Sequence, residues 1–182
     1  MSTYYGSREE RKVADVSASG TAGSGNGGAP GPAPAFRGVT ELVLDAKGRI
    51  AVPARHRETL ASCGESRLIV TADPSRCLLV YPRSIWEPIQ DRLMSLSGFN
   101  ERIRGLQRLL VGHADDAEID GSGRILVSPA LRAFARLDRE VVLVGQGHRL
   151  ELWNAPEWQA QTAQAIAFDA GGLPPELDGF SL

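Results

Sequence analysis

The chain has 182 residues, of which 42% are hydrophobic, and a formal net charge of -2. No apolar run approaches the roughly 20 residues that a membrane span requires, and no apolar segment follows the basic N-terminal residues as it would in a signal peptide. The two cysteines, Cys63 and Cys77, form no CxxC pair and have no histidines at zinc spacing. These features predict a cytoplasmic protein with reduced thiols and with no metal, cofactor, membrane partner or small-molecule substrate.

The first segment of the chain has the composition of a disordered tail. Residues 15–35 are almost entirely Gly, Ala, Ser and Pro, and such a segment cannot bury enough apolar surface to offset its ordering entropy. Residues 1–35 are therefore predicted to be a disordered N-terminal extension, with the folded pattern beginning at Phe36.

Charge is distributed unevenly along the remaining chain. Residues 36–110 contain 12 Lys and Arg against 8 Asp and Glu, whereas residues 111–182 contain 5 against 11. A basic half of this kind is compatible with a polyanionic partner such as DNA. Taken alone the signal is weak, because many soluble domains divide their charge in the same way.

The chain after residue 35 repeats itself, and this is its most informative feature. Five positions of one loop and strand recur with a constant offset of 75 residues: Asp45, Gly48, Arg49, Ile50 and Val52 return as Asp120, Gly123, Arg124, Ile125 and Val127. Two aromatic positions recur 72 residues later: Tyr81 and Trp86 return as Trp153 and Trp158. One supersecondary unit has been used twice, over residues 36–110 with a connecting helix and over residues 111–182 with a C-terminal helix and a short tail.

Periodicity and turn residues predict the elements of each unit. In chain order these are strands at 39–44 and 116–119, turns at 45–48 and 120–123, strands at 49–52 and 124–127, helices starting at Pro53 and Pro129, hairpins at 68–81 and 141–153, and helices at 84–96 and 154–167. A further helix at 100–111 has no counterpart in the second unit. It is predicted to join the two units and to pack on one of them.

The repeated Asp-x-x-Gly-Arg loop is the candidate functional site. Asp45 and Asp120 can accept backbone N–H bonds, and Gly48 and Gly123 supply a positive φ, so that these four residues position the turn. Two arginines, Arg49 and Arg124, then begin strands from which a guanidinium can pair with phosphate or with guanine O6 and N7. Further contacts to phosphate are predicted from Lys47, Arg55 and Arg57. The alternative is an ordinary turn whose solvated arginine pairs with its own aspartate.

Two units of about 50 core residues each are marginal as separate domains. We therefore expect them to complete each other by sharing strands, in an α+β fold with one pseudo-symmetric β-barrel and flanking helices. In such a fold the loops at Asp45 and Asp120 lie close together on one face.

Several short motifs in a fixed order resemble the MraZ family: Phe36-Arg37-Gly38, the residues 44–49 LDAKGR, the residues 78–82 LLVYP, the residues 107–114 QRLLVGHA and the residues 150–153 LELW. The resemblance covers about residues 36–182. It implies two tandem AbrB-like units in a double-psi or swapped-hairpin barrel. The DxxxR motif that the family links to DNA contact falls on residues 45–49 and 120–124. In this chain Ser122 replaces the lysine of the first loop, and Ser128 stands where many relatives have proline.

The resemblance also implies a function and an assembly. Members of the family form ring-shaped homo-oligomers, of eight or twelve subunits, and bind repeated sites on promoter DNA upstream of the division and cell-wall gene cluster, usually as repressors. The expectation is thus a nucleoid-associated transcriptional regulator that binds direct repeats by avidity.

Two other functional classes fit the sequence less well. An enzyme is disfavoured because no Ser-His-Asp set, Walker loop or metal cluster appears, and His113 and His148 have no partner nucleophile. An AbrB-like antitoxin or assembly module would use Trp86 and Trp158 as interface anchors. Packing of both tryptophans between helix and sheet is the simpler interpretation, because they occupy the same place in the repeat.

Overall fold

A computed structural model describes residues 34–167. The predicted N-terminal extension therefore lies, except for its last two residues, outside the described residues, as does the C-terminal tail at 168–182. The strands are Phe36–Val43 (β1), Arg49–Ala51 (β2), Arg67–Ala72 (β3), Leu78–Pro82 (β4), Asp115–Glu118 (β5), Arg124–Leu126 (β6), Glu140–Gly147 (β7) and Arg149–Asn154 (β8). The helices are Ala54–Ser62 (α1), Arg83–Met94 (α2), Glu101–Leu110 (α3), Pro129–Phe134 (α4) and Ala155–Ala167 (α5).

The strands form a mixed α+β fold with antiparallel pairing throughout. Six of them make one sheet in the order β1-β7-β8-β4-β3-β5, and β2 pairs with β6 in a separate two-stranded ribbon. The first strand of each unit pairs with the hairpin of the other unit, β1 with β7 and β5 with β3. The expected sharing of strands between the two units is therefore present in the sheet.

The strand order reads the same from either end when the two units are exchanged. The central pair, β4 with β8, and the ribbon pair, β2 with β6, both join one unit to its repeat. Ile50 faces Ile125 at the middle of the ribbon. The two units of the repeat are thus related by an approximate twofold axis that passes between these two isoleucines.

Alternation of side chains along the strands divides the core into two layers. On one side of the sheet, which we call the inner face, buried residues such as Leu68 and Leu143 pack against Ile50 and Ile125 of the ribbon and against α1 and α4. On the other side, the outer face, Ile69, Trp86 and Trp153 belong to a second cluster that is covered by α2, α3 and α5. The ribbon and its loops therefore lie opposite the long helices.

Several predicted boundaries are corrected by the structure. Strand β1 begins at Phe36, three residues earlier than predicted, because it pairs along its whole length with β7. The second hairpin turns over only Gly147 and His148, whereas the glycines of residues 145–148 predict a four-residue loop. Gly147 takes a φ of 66° and lets pairing continue to Gln146 and Arg149.

The short helices α1 and α4 begin differently. Pro53 is the residue before the first turn of α1 and not its first residue, whereas in α4 Pro129 occupies that first turn. Ser128, which corresponds to Pro53 in the repeat, accepts a hydrogen bond from the backbone N–H of Leu131 through its hydroxyl. Serine therefore caps the second helix at the position where the first unit has proline.

Candidate nucleic-acid interface

The two-stranded ribbon brings the repeated arginines onto one surface. Arg49 lies opposite Leu126 and Arg124 lies opposite Ala51, so the two arginines are diagonal neighbours. Such diagonal positions in an antiparallel pair are about 7–8 Å apart. Because Ile50 and Ile125 are buried on the inner side, alternation places the arginines on the opposite, solvent-facing side.

The first loop is organised around one carboxylate. Asp45 Oδ1 accepts hydrogen bonds from the backbone N–H groups of Lys47 and Arg49, each at 2.9 Å. Its Oδ2 accepts from Nε and from Nη2 of the Arg49 guanidinium, both at 2.8 Å. A single aspartate thus closes the turn and fixes the direction of the arginine side chain.

The second loop repeats this arrangement bond for bond. Asp120 Oδ1 accepts from the N–H groups of Ser122 and Arg124, at 2.9 and 3.0 Å. Its Oδ2 accepts from Nε and Nη2 of Arg124, at 3.1 and 2.9 Å. We call these two pairs, Asp45–Arg49 and Asp120–Arg124, in each of which the guanidinium donates twice to one carboxylate oxygen, the Asp–Arg forks.

Electrostatics keep both forks ionised. The pKa of Asp45 is lowered to about 2, chiefly by the hydrogen bond from the backbone N–H of Arg49 and then by the bond from its guanidinium. The same two causes lower the pKa of Asp120. Each arginine side chain remains partly exposed, 28% for Arg49 and 33% for Arg124.

Each arginine pairs with its own aspartate, as the alternative of an ordinary turn predicts. This pairing also limits which edge of each guanidinium can bind a ligand. The carboxylate engages the guanidinium edge formed by Nε and Nη2. The planar guanidinium has a second donor edge, formed by Nη1 and the other hydrogen of Nη2, that these bonds do not use. A phosphate or a base edge can be bound there without breaking the fork.

Each loop is locked by the opposite unit. The N–H of Val127 donates to the carbonyl of Gly48 at 2.8 Å, and the N–H of Val52 donates to the carbonyl of Gly123 at 2.9 Å. The glycines have φ angles of 82° and 76°, a region that side chains rarely adopt. The two loops therefore form one interlocked body around the approximate twofold axis.

Each of these glycines packs against an arginine from the short helix of the opposite unit. A Cβ at Gly48 would lie 2.8 Å from the guanidinium carbon of Arg132 in α4, and a Cβ at Gly123 would lie 3.0 Å from the side chain of Arg57 in α1. Arg57 also donates through Nε to the carbonyl of Val52 at 3.1 Å. Glycine is thus required in both loops for backbone conformation and for space.

Comparison with known proteins decides the family. A family model described as "MraZ protein, putative antitoxin-like" matches residues 35–109 and 110–171. A protein from Nitrosospira multiformis, named transcriptional regulator MraZ, is 62% identical over 147 residues, which are 81% of this chain and 99% of that protein. Proteins with the same name from Nitrosomonas eutropha and Thiobacillus denitrificans are 56% and 54% identical over the same shares of the two chains.

The chain belongs to the MraZ family. Its resemblance to that family, which the sequence motifs indicated, is confirmed by these matches. No helix in the described residues is long and apolar enough to cross a membrane. No group of three or more His, Cys, Asp and Glu side chains within residues 34–167 could hold a metal ion.

In this member of the MraZ family the predicted site residues separate into two groups. Lys47 is exposed on the first loop, and Arg57 lies against the second loop. Arg55 points away from the ribbon: its guanidinium contacts Thr40 and lies over Gly38, both on β1. Its expected place in one basic patch with the loops is therefore not supported by its contacts.

Arg132 is a residue of the site that sequence reasoning did not identify. It is the repeat of Arg57, again 75 residues on, and it occupies the equivalent place over Gly48. The offset that revealed the two loops would have found it. Arg132 lies in the helix after the repeated loop and strand, where the neighbouring positions of the two units differ. The repeat of the loop alone therefore does not identify it.

Proposed function

We propose that this chain is a transcriptional regulator that binds double-stranded promoter DNA through the solvent-facing side of the ribbon. The observation that carries the proposal is the pair of Asp–Arg forks, which present Arg49 and Arg124 on one surface with the same geometry. The name of the relatives, transcriptional regulator MraZ, supports the same function.

The ribbon has the shape and the chemistry for this task. Two-stranded ribbons fit the major groove of B-DNA. The free edge of each guanidinium offers donors for a phosphate or for guanine O6 and N7. Lys47, which is exposed beside the first fork, adds a charge that suits a phosphate. Because the forks are rigid, little side-chain entropy is lost when DNA binds.

The finer parts of the proposal follow from the family. We infer a swapped-hairpin barrel, a ring-shaped homo-oligomer and binding to direct repeats upstream of the division and cell-wall genes, including the chain's own promoter, with repression as the outcome. Two arginines and one lysine per subunit give modest affinity. A ring that presents the same ribbon several times binds tandem sites with high effective concentration. The proposed location is the cytoplasm, in association with the nucleoid.

The test is binding to DNA from upstream of the chain's own gene, measured by fluorescence anisotropy as a function of salt. Arg49→Ala is expected to weaken binding by about five- to 150-fold per subunit, since a bidentate arginine contact contributes about 1–3 kcal/mol. Arg49→Lys keeps the charge but cannot form the fork, and it should recover only the phosphate part of the binding.

The matched control is Arg83→Ala. Arg83 also pairs with a carboxylate, Glu87 at 2.7 Å, but it lies on α2, which covers the outer face opposite the ribbon. Its removal should leave the affinity for DNA unchanged. If Arg49→Ala bound DNA with full affinity, or if the dissociation constant did not respond to salt, the ribbon would not be the DNA-binding surface.

A further inference from the structure

The two short helices each place one arginine over the loop of the other unit. Arg132 belongs to α4 of the second unit, and its guanidinium lies over Gly48 in the first loop. Arg57 belongs to α1 of the first unit, and its side chain lies over Gly123 in the second loop. The two contacts are reciprocal, so each loop is held by a residue of the unit to which it does not belong.

The contact at the first loop is close on two sides. A Cβ on Gly48 would come within 2.8 Å of both Nε and the guanidinium carbon of Arg132, and within 3.1 Å of the carbonyl oxygen of Val127. The N–H of Val127 donates to the carbonyl of Gly48 at 2.8 Å. The buried backbone of Gly48 is therefore enclosed by one strand and one guanidinium of the second unit.

Arg132 makes this contact although one of its donors has no partner. Its Nε is buried and forms no hydrogen bond within residues 34–167. In the repeat, Nε of Arg57 donates to the carbonyl of Val52 at 3.1 Å. A buried donor without a partner destabilises a fold, and native structures contain few of them. Stability alone therefore does not account for an arginine at position 132.

Gly48 directly precedes the arginine of the first fork. The N–H of Arg49 donates to Asp45 Oδ1 at 2.9 Å, and its Nε donates to Oδ2 at 2.8 Å. A change in the backbone angles of Gly48 would turn this N–H away from Asp45 and redirect the Arg49 side chain. Because glycine has the widest range of backbone conformations, the contact with Arg132 limits motion at the residue that sets the direction of Arg49.

Direct contact of Arg132 with DNA is the alternative. Arg132 is half-buried, whereas Lys47 on the same loop is exposed. It lines a groove of about 530 Å³ at the base of the first loop, together with Asp45, Asp138 and Arg139. The two carboxylates of this lining repel phosphate and balance the two guanidinium groups. The surroundings of Arg132 therefore favour a contact with the loop over a contact with DNA.

We infer that Arg132 and Arg57 are positioning residues for DNA recognition, each of which fixes the fork of the opposite unit through the glycine before the fork arginine. Arg132 acts on Arg49, and Arg57 acts on Arg124. The inference rests on the proposed function, because it concerns how the ribbon presents its arginines. It gives Arg57 a different role from the phosphate contact that the sequence predicts. A change in the short helix of one unit then alters the fork of the other.

The test is a pair of double-mutant cycles, measured by fluorescence anisotropy with DNA from upstream of the chain's own gene. Arg132→Ala alone should weaken binding by about fivefold or more, the lower end of the contribution of one arginine contact. In an Arg49→Ala background the same change should have no further effect, because the arginine that it positions is already absent. In an Arg124→Ala background it should keep its full effect.

Two control variants separate positioning from charge. Arg132→Lys keeps the charge but has no planar guanidinium to cover Gly48, so it should bind DNA as weakly as Arg132→Ala. Arg136→Ala removes a positive charge just after α4, where Arg136 pairs with Glu157 of α5 at 3.5 Å, and it should bind like wild type. In the Arg49→Ala background, Arg132→Ala should leave the slope of log affinity against log salt unchanged, since no phosphate contact is lost.

Amide hydrogen exchange gives a readout on the free protein, by mass spectrometry of peptides that contain Val52 or Val127. Arg132→Ala should speed exchange of the Val127 N–H, which donates to Gly48, and leave the Val52 N–H, which donates to Gly123, unchanged. Arg57→Ala should give the reverse pattern. Thermal melting checks the fold of each variant. The melting temperature of Arg132→Ala should fall little, because an unpaired buried donor is lost with the side chain.

Three results would overturn the inference. One is wild-type affinity of Arg132→Ala when Arg49→Ala has lost affinity. Another is an equal loss from Arg132→Ala in both backgrounds with recovery in Arg132→Lys, which would make Arg132 a contact to phosphate. The third is faster exchange of both amides in one variant, which would indicate a general loss of stability. Full affinity of Arg49→Ala is a separate outcome: it would refute the proposed function, and the exchange pattern would still show whether each arginine holds the opposite loop.

Discussion

The two units of the molecule share their loops almost bond for bond and differ mainly in what covers their outer faces. Both contain an Asp–Arg fork, a glycine with positive φ and an arginine from the opposite helix over that glycine. Only the first unit has Lys47, and within residues 34–167 only the first has a helix such as α3 over its outer face. The two units thus keep the ribbon, to which we assign DNA binding as a proposal, and differ in their outer faces.

The largest effect that would test this comparison concerns the outer face. Trp86→Ala removes a fully buried side chain and should lower the free energy of unfolding by about 3–5 kcal/mol. Trp158→Ala removes a half-buried side chain and should cost roughly half of that or less, since the loss scales with the apolar area returned to water. Urea unfolding of both variants measures the difference. Equal losses in the free energy of unfolding for the two variants would mean that α3 does not increase the burial of Trp86.

The shared loops should respond equally in the two units. Gly48→Ala and Gly123→Ala both force a side chain into a positive-φ conformation, at a cost of about 1–2 kcal/mol, and both displace an arginine of the other unit. Gly121→Ala is the control, because Gly121 lies in the second loop beside Gly123, with open space around it. Thermal melting of the three variants is the measurement, and a Gly48→Ala protein as stable as the control would contradict the interlocked loops.

The forks predict a response to acid. The pKa of Asp45 is about 2 in the folded chain, below its ordinary value of 3.8, so ionisation of Asp45 stabilises the fold above about pH 4. That contribution is lost as the pH falls from 4 through 2. The melting temperature of wild type should therefore exceed that of Asp45→Asn at pH 5, and the gap should narrow towards pH 2. A gap that stays constant between pH 5 and pH 2 would contradict this account of Asp45.

The smallest effect concerns the difference between the loops. Lys47→Ser makes the first loop resemble the second, and Ser122→Lys does the reverse. The first change should weaken DNA binding a few-fold and reduce the slope of log affinity against log salt by about one per subunit bound, and the second should do the opposite. Anisotropy titrations at several salt concentrations would show this. Opposite signs, or no change in slope, would mean that position 47 does not face phosphate.

Much of this fold follows from the repeat itself. The recurrence of Asp, Gly and Arg at constant spacing predicts two equal turns, and the small size of each unit predicts that strands are shared. The exchange of β1 and β5 between hairpins agrees with that expectation. The turn at residues 45–48 could be predicted because Asp45 and Gly48 act locally, through hydrogen bonds to the backbone within four residues.

What could not be predicted depends on contacts between the units. Arg132 acts on Gly48 across the ribbon, and the turn at Gly147 is shortened because β7 pairs with β1 as well as β8. The different exposure of Trp86 and Trp158 is also not evident from the repeat, because it arises from α3, a helix that within residues 34–167 only the first unit contains. Local patterns carry no information about such distant neighbours.

The most direct test of the central claim is site-specific photo-crosslinking to DNA. A photoreactive side chain at Ala51, which is exposed on the ribbon beside Arg124, is compared with the same group at Gln161, which is exposed on α5 at the opposite side of the sheet. With labelled DNA from upstream of the chain's own gene, the protein modified at position 51 should cross-link and the protein modified at position 161 should not. Cross-linking at 161 with none at 51 would contradict the assignment of the ribbon as the DNA-binding surface.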